Sequence, residues 1–335
     1  MPAGNIADIA YAAQSAQGAP ATPPTVRSPV TGGGLGPNRS VIDIEETTDS
    51  RLRNRSVVAY VDVAGSPEMA CRADDIGLWL FGALGSEGVG GVGDPFTHVI
   101  VNAGSLPYMT FWRSLGGLIW EEFDDCKIQQ LVITSETGQP MKAVATIVGL
   151  DPVYHDEAGY ASVVAIDFTD EDPFMHYDGS GVFLVDGAAV SCIEKIVLTI
   201  NNNSQIQRGD SLGGCAITEG MLDITAELTH SIEDAELYNS FHYGDPSPTD
   251  GDGPSTTPLE LAAGFDFSWV RPGSPARSIR VQAPRVTLQT LAGYEPNTNG
   301  DPLKDTQTYK VYQPAAGNGI TATVKNGQGP YSPAS

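Results

Sequence analysis

The feature that most constrains the fold is a weak internal repetition with a period of about 160 residues. A β-prone run, Val41-Ile-Asp-Ile-Glu-Glu-Thr-Thr-Asp-Ser-Arg51, opens the first copy, and Lys195-Ile-Val-Leu-Thr-Ile-Asn-Asn-Asn-Ser-Gln-Ile-Gln-Arg208 opens the second. Each breaks into a polar loop that ends near an arginine. A second strand follows in both, Val57–Val63 and Gly220–Leu228. Next comes a helical pattern. Ile76, Trp79, Leu80, Ala83 and Leu84 fall on one stripe, and Ile232, Ala235, Leu237, Tyr238 and Phe241 form a looser one. Ser231 and Asp234 have capping-box spacing, and Gly85 and Gly244 suit left-handed C-caps. Tryptophan and arginine (Trp112 and Arg113, Trp269 and Arg271) then precede hairpins over Lys127–Val148 and Arg285–Tyr312. Their turns read Gly138-Gln-Pro140 and Gly300-Asp-Pro302. Six elements in one order at a near-constant offset predict an all-β protein with small flanking helices, built as two tandem halves related by duplication.

This division predicts an N-terminal arm over 1–40, a first β domain over 41–150 and a connecting segment over 151–190. A second β domain over 191–312 and a C-terminal arm over 313–335 complete it. The arms rest on composition, since Gly32-Gly-Gly-Leu-Gly-Pro37 and the glycines after Tyr312 promise little core. With 38 glycines and 24 prolines between short Val-, Ile- and Thr-rich runs, the punctuation is that of strands and turns.

Forty-one acidic against 18 basic residues give a formal charge of −23, which repels a polyphosphate and argues against sequence-specific nucleic-acid binding. Cys71, Cys126, Cys192 and Cys215 lie far apart without zinc or redox spacing, and free thiols in a reducing cytoplasm are expected. The N-terminus has no basic region followed by an apolar core, so no secretory leader is expected. No apolar stretch approaches the roughly 20 residues that span a bilayer.

No catalytic, cofactor-binding or metal motif emerges. The five histidines are scattered, no GxSxG is present, and Gly88–Gly93 lacks the Lys-Ser/Thr of a phosphate loop and reads as a flexible loop. Asp167–Asp172 and Asp245–Asp252 could attract calcium, but neither alternates oxygen ligands as an EF-hand loop does. Paired carboxylates for glycoside hydrolysis meet only in the fold.

The order of these elements resembles the tail tube proteins of siphophages and related prophages, over about residues 5–325. Carriers of the resemblance are the Thr47–Arg55 loop, the helix ending Leu84-Gly85, Ser105-Leu-Pro107 and Phe123-Asp-Asp-Cys126 to Ile133. In the second half they are Leu198-Thr-Ile-Asn-Asn-Asn203, Ile217-Thr-Glu-Gly220 and Asp234-Ala-Glu-Leu-Tyr-Asn239. The resemblance implies a sandwich or barrel joined edge to edge into rings that stack as a hollow tube, with an acidic lumen that conducts DNA during ejection without binding it. It further implies a non-enzymatic structural subunit without cofactor, assembled in the host cytoplasm into the virion tail. Its partners would be itself, the tape measure protein, and the terminator and distal tail proteins. With one tube domain in each half, a homotrimer with pseudo-sixfold symmetry is expected in preference to a homohexamer. Thr47, Asp49, Arg51 and Arg53, with Asn202, Ser204, Gln207 and Arg208, are then the candidate inter-ring loop residues. The alternatives are a virion decoration or polysaccharide-binding β protein, which would expose aromatics on one sheet face, and a β-rich hydrolase. Trp79, Trp112, Trp120 and Trp269 sit in apolar runs that read as core.

Overall fold

The computed structural model describes residues 7–21, 24–46, 52–53, 55–91, 93–116, 119–156, 166–168, 171–179, 183–231, 235–273, 275–291 and 303–333. The chain runs through β1 (Ala7–Ala13), β2 (Val26–Pro29), β3 (Leu35–Asp43), β4 (Ser56–Gly65) and β5 (Glu68–Ala70) into helix α1 (Ala73–Leu84). There follow β6 (Gly85–Gly90), β7 (Phe96–Asn102), β8 (Met109–Leu115), β9 (Ile119–Glu136), β10 (Lys142–Gly149) and β11 (Asp151–Asp156). After a 3-10 turn (His176–Gly179) come β12 (Phe183–Val185), β13 (Ala188–Ala189), β14 (Ile193–Asn201), β15 (Gln205–Arg208), β16 (Gly214–Thr218) and β17 (Asp223–Ser231). Helix α2 (Glu236–Tyr243) precedes β18 (Leu259–Leu261), β19 (Phe265–Arg271), β20 (Arg277–Ala283) and β21 (Val286–Leu291). The last strands are β22 (Lys304–Val311) and β23 (Thr321–Asn326). The protein is nearly all β.

One antiparallel sheet runs β18-β21-β22-β17-β14-β9-β10-β4-β3. Its strands alternate buried and half-exposed residues, as in Ile196, Leu198 and Ile200 of β14 and Ile224, Ala226 and Leu228 of β17. That is the two-residue period of a sheet with one face on a core. The order β3-β4-β10-β9 of the first half recurs as β14-β17-β22-β21 in the second. The halves meet where β9 pairs antiparallel with β14, Leu198 opposite Ile133.

β9 bends near Asp125, whose φ is 51°. Its first part pairs with β8 and β11, and β1 and β2 extend that side as β2-β1-β8-β9-β11. In the second half separate strands take the two roles: β21 pairs with β22, while β20 joins a second sheet, β13-β12-β19-β20-β23-β7-β6.

Helix α1 lies between these sheets, and this position overrides its amphipathic pattern. Every residue from Asp75 to Leu84 is buried, not only the predicted stripe. Burying Ile76, Trp79 and Leu80 contributes about 1.5–3 kcal/mol each. A Cβ on Gly82 would stand 2.5 Å from Met109 Sδ and 2.9 Å from Ile128 Cδ1, so glycine sets how closely the helix approaches β8 and β9. Gly85, at φ 101°, ends it as expected. Helix α2 is peripheral and buries no residue fully; Ile232 and Asp234 of its predicted stripe and cap lie outside the described residues, and Gly244 caps it at φ 78°.

Three sequence expectations are corrected. The described part of the predicted arm over 1–40 is not without core, because Ile9, Ala10, Tyr11 and Ala12 of β1 are buried. The alanines that suggested weak packing are what fits: Ala10 and Ala12 pack against Trp112 and Trp120, with Ala10 opposite Trp112 in register. Residues 313–335 are no free arm either. β23 fills the gap between β20 and β7, and Tyr331 stacks on His98 with ring centroids 4.2 Å apart. Gly88 and Gly90 belong to strand β6, paired with β7, rather than to a loop. A single apolar cluster from Ile9 to Tyr331 spans both halves.

Candidate assembly surface

The ends of the long sheet are the first candidates for assembly, because an edge strand presents unpaired backbone groups. β3 closes one end. Among the described residues no strand lies beyond it, and Pro37 withholds one donor, a common guard on an edge. At the other end β18 covers β21 only from Val286 to Leu288, and Gln289 and Thr290 are exposed.

Past Asn38, whose Nδ2 donates to Asp62 (2.8 Å), β3 and β4 continue as a two-stranded ribbon with Val41, Ile42 and Val57 exposed. Arg53 near its tip bridges Asp43 (2.6 Å) and Glu45 (3.2 Å), and Arg55 meets Glu46 (2.6 Å). Such exposed pairs contribute only about 0–1 kcal/mol each. Leu52 is 80% exposed. Thr47, Asp49 and Arg51 lie outside the described residues.

The second predicted loop does not project. Residues 202–222, which hold the candidate inter-ring residues Asn202, Ser204, Gln207 and Arg208, fold back across the chain's own first half. Asn202 is buried, and its Nδ2 donates to the carbonyls of Ala83 and Ile128 (both 3.0 Å), pinning the end of α1 to β9. Ser204 is buried as well; its carbonyl accepts Gln129 Nε2 at 2.9 Å. Gln207 is exposed on β15. Arg208 pairs with Asp62, and its guanidinium carbon stands 3.6 Å from the Tyr60 ring centroid. Further along, Val61 N donates to Leu212 O (3.0 Å), and Gln17 Nε2 donates to Cys215 O (2.8 Å).

Glu219 completes this seat. It pairs with Lys127 and accepts Leu106 N at 3.0 Å, and Ile217, two residues earlier, is buried. Burial works to raise the Glu219 carboxyl, but the hydrogen bonds from Lys127 and Leu106 outweigh it and hold the group below its usual range. Tyr60, Asp62, Gln129 and Lys127 are contacts of this seat that pattern reading missed. One signal was present: Gln129 and Gln289 sit at the β-bulges of the two hairpins.

Two neighbouring carboxylates on β9 have perturbed acidity. Burial and the neighbouring Glu122 push Asp124 up to about 7, and burial raises Glu122. Both stand on β9 between β8 and β11, with His155 Nε2 2.9 Å from Glu122. The Asp245 and Asp252 carboxylates accept backbone N–H groups of Ser247 and Thr249 in their own loop. Among the described residues no three metal-ligating side chains cluster, and no helix is long and apolar enough to cross a membrane. All four tryptophans are buried, as their apolar runs suggest.

A search of curated proteins finds no match. The family model described as phage tail tube protein matches residues 4–310. That match spans most of the chain and takes in the open sheet ends and both loops, so the chain belongs to the phage tail tube protein family, whose members are structural components of the virion tail.

Proposed function

We propose that this chain is the major subunit of a long, non-contractile phage tail tube and that its halves are duplicated tube domains. Three chains then close a ring of pseudo-sixfold symmetry, and rings stack around an acidic lumen through which DNA passes during ejection. The observation that carries this reading is the recurrence of β3-β4-β10-β9 as β14-β17-β22-β21, with the copies joined edge to edge at β9 and β14. One chain thus contains one inter-domain seam of the kind a ring repeats, and it keeps two outer edges for further seams. The units run from β1 to β11 and from β12 to β23, wider than 41–150 and 191–312.

The role is structural, without catalytic or cofactor chemistry. The charge of −23 suits a lumen that repels the DNA backbone. Thr47, Asp49, Arg51 and Arg53 belong to a subunit–subunit contact. The tube meets the tape measure protein inside and the terminator and distal tail proteins at its ends, after assembly in the host cytoplasm.

Negative-stain electron microscopy of the purified chain tests the reading. Rings or tubes with a central hole are expected, with three masses of two lobes each in end-on classes. Six separate copies per ring would overturn the trimer, and a protein that stays monomeric even with its tail-tip initiator would overturn the tube.

A further inference from the structure

We propose that Met221, Asp223, Gln289 and Tyr312 form the docking surface for the β3–β4 ribbon, residues 39–61, of a second copy of this chain. The proposal deepens the ring reading and rests on it. It assigns the ribbon to contact between neighbours within a ring, rather than to stacking between rings.

Each of these residues has a counterpart in the first half. Counting along the strands paired to β10 and β22, Tyr60 corresponds to Met221 and Asp62 to Asp223. Gln129 and Gln289 occupy the matching bulges, where the register shifts between Thr146 and Ile147 and between Leu288 and Thr290. Leu150 and Tyr312 directly follow β10 and β22.

In the first half all four positions are covered by residues 202–222. Arg208 stacks on Tyr60 and pairs with Asp62. Gln129 donates to Ser204 O and accepts Asn202 N through its carbonyl. Leu150 is 2% exposed beneath β16, so close that a Cβ on Gly214 would stand 2.6 Å from its Cδ2. In the second half the same positions lie open. Met221 is 86% exposed, Tyr312 is 40% exposed, Gln289 is exposed, and Asp223 is half-exposed beside Lys310. Bare apolar side chains grouped with an acid and an amide have the composition of an interface core that lacks its partner.

The occupant follows from connectivity. Residues 202–222 join β14 to β17, the counterparts of β3 and β4, and residues 39–61 run from within β3 into β4. The ribbon carries exposed Val41, Ile42, Leu52 and Val57 to meet Met221 and Tyr312, and exposed Arg39 to meet Asp223, while Arg53 and Arg55 hold acids of the ribbon itself. It cannot reach this surface on its own chain, because β3 and β21 stand toward opposite ends of one sheet. Contact between unlike ends is head-to-tail, the kind of contact that closes into a ring when its rotation divides a full turn.

The test replaces Met221 with a photoreactive phenylalanine analogue in the full chain and irradiates assembled tubes made from nitrogen-15-labelled and unlabelled subunits. Mass spectrometry is expected to find adducts joining position 221 to peptides from 39–61, including mixed-isotope pairs that identify a second copy. Tubes whose adducts fall only on other segments, or that give none, would overturn the docking surface while leaving the tube reading intact. Absence of rings and tubes from the unaltered protein, even with its tail-tip initiator, would overturn both. As a second measurement, Met221→Asp should fold like the parent by circular dichroism yet need about tenfold more protein to form rings, with Met221→Leu close to normal. Ring formation by Met221→Asp at the parent's concentration would also overturn the surface.

Discussion

At the scale of single residues, Asn202 shows how a polar residue in an apparent loop can be structural. Its amide has two carbonyl partners, Ala83 at the end of α1 and Ile128 in β9, and each loses a hydrogen bond without it. Leaving buried acceptors unsatisfied costs about 1–3 kcal/mol. We therefore expect Asn202→Ala to lower the unfolding free energy by about 2–3 kcal/mol in urea titration, with an unchanged m-value. An exposed assembly residue would leave the midpoint in place. Thr47, Asp49 and Arg51 carry no such structural prediction, whereas Arg53 faces solvent and should be neutral to stability when replaced.

At the scale of elements, the β15–β16 hairpin is held to the first half by a few polar contacts and the apolar Ile217. The Arg208–Asp62 pair is central, since Asp62 is buried and Arg208 also covers Tyr60. Arg208→Glu would place a second carboxylate against Asp62 and should release the hairpin at a cost of about 1–3 kcal/mol. Hydrogen exchange should then quicken over residues 205–218 and remain slow in β14 and β17. Unchanged protection in the hairpin would show that Ile217 and Glu219 suffice to hold it. A defect in tube growth from this variant would therefore report a loosened subunit as well as a lost surface charge.

At the scale of the whole molecule, stability should depend on pH through buried acids. Asp75, in the first turn of α1, is pushed up to about 7 by burial, which outweighs Arg72 Nη1 at 3.6 Å. Asp124 is pushed to about 7 by burial and Glu122. In the unfolded chain both release their protons near the ordinary value of about 4. Between about pH 4 and 7 the native state thus binds more protons than the unfolded one, and stability falls as pH rises. The folded protein should melt at a higher temperature at pH 5 than at pH 8. Asp75→Asn should recover up to about 3–4 kcal/mol at pH 8 and little at pH 5, measured by calorimetry at both values. Equal gains at both would show that Asp75 is already ionised in the fold.

The sequence by itself determined the class of structure and much of its order. Alternating runs such as Ile196, Leu198 and Ile200 carry the strand period, and Gly85, Gly138 and Gly244 mark their turns and caps through left-handed backbone angles. These signals are local, so they survive in a single chain. Tertiary structure alone decided what is buried among polar or small residues. Ala10 and Ala12 read as arm because alanine has no period of its own, and only Trp112 and Trp120 across the sheet make them core. Asn202 and Ser204 read as loop residues free for inter-ring contact because their partners, Ala83, Ile128 and Gln129, are remote in sequence. Likewise α1 shows one apolar stripe in sequence yet is buried on all sides, because two sheets close on it from elements that no local pattern links.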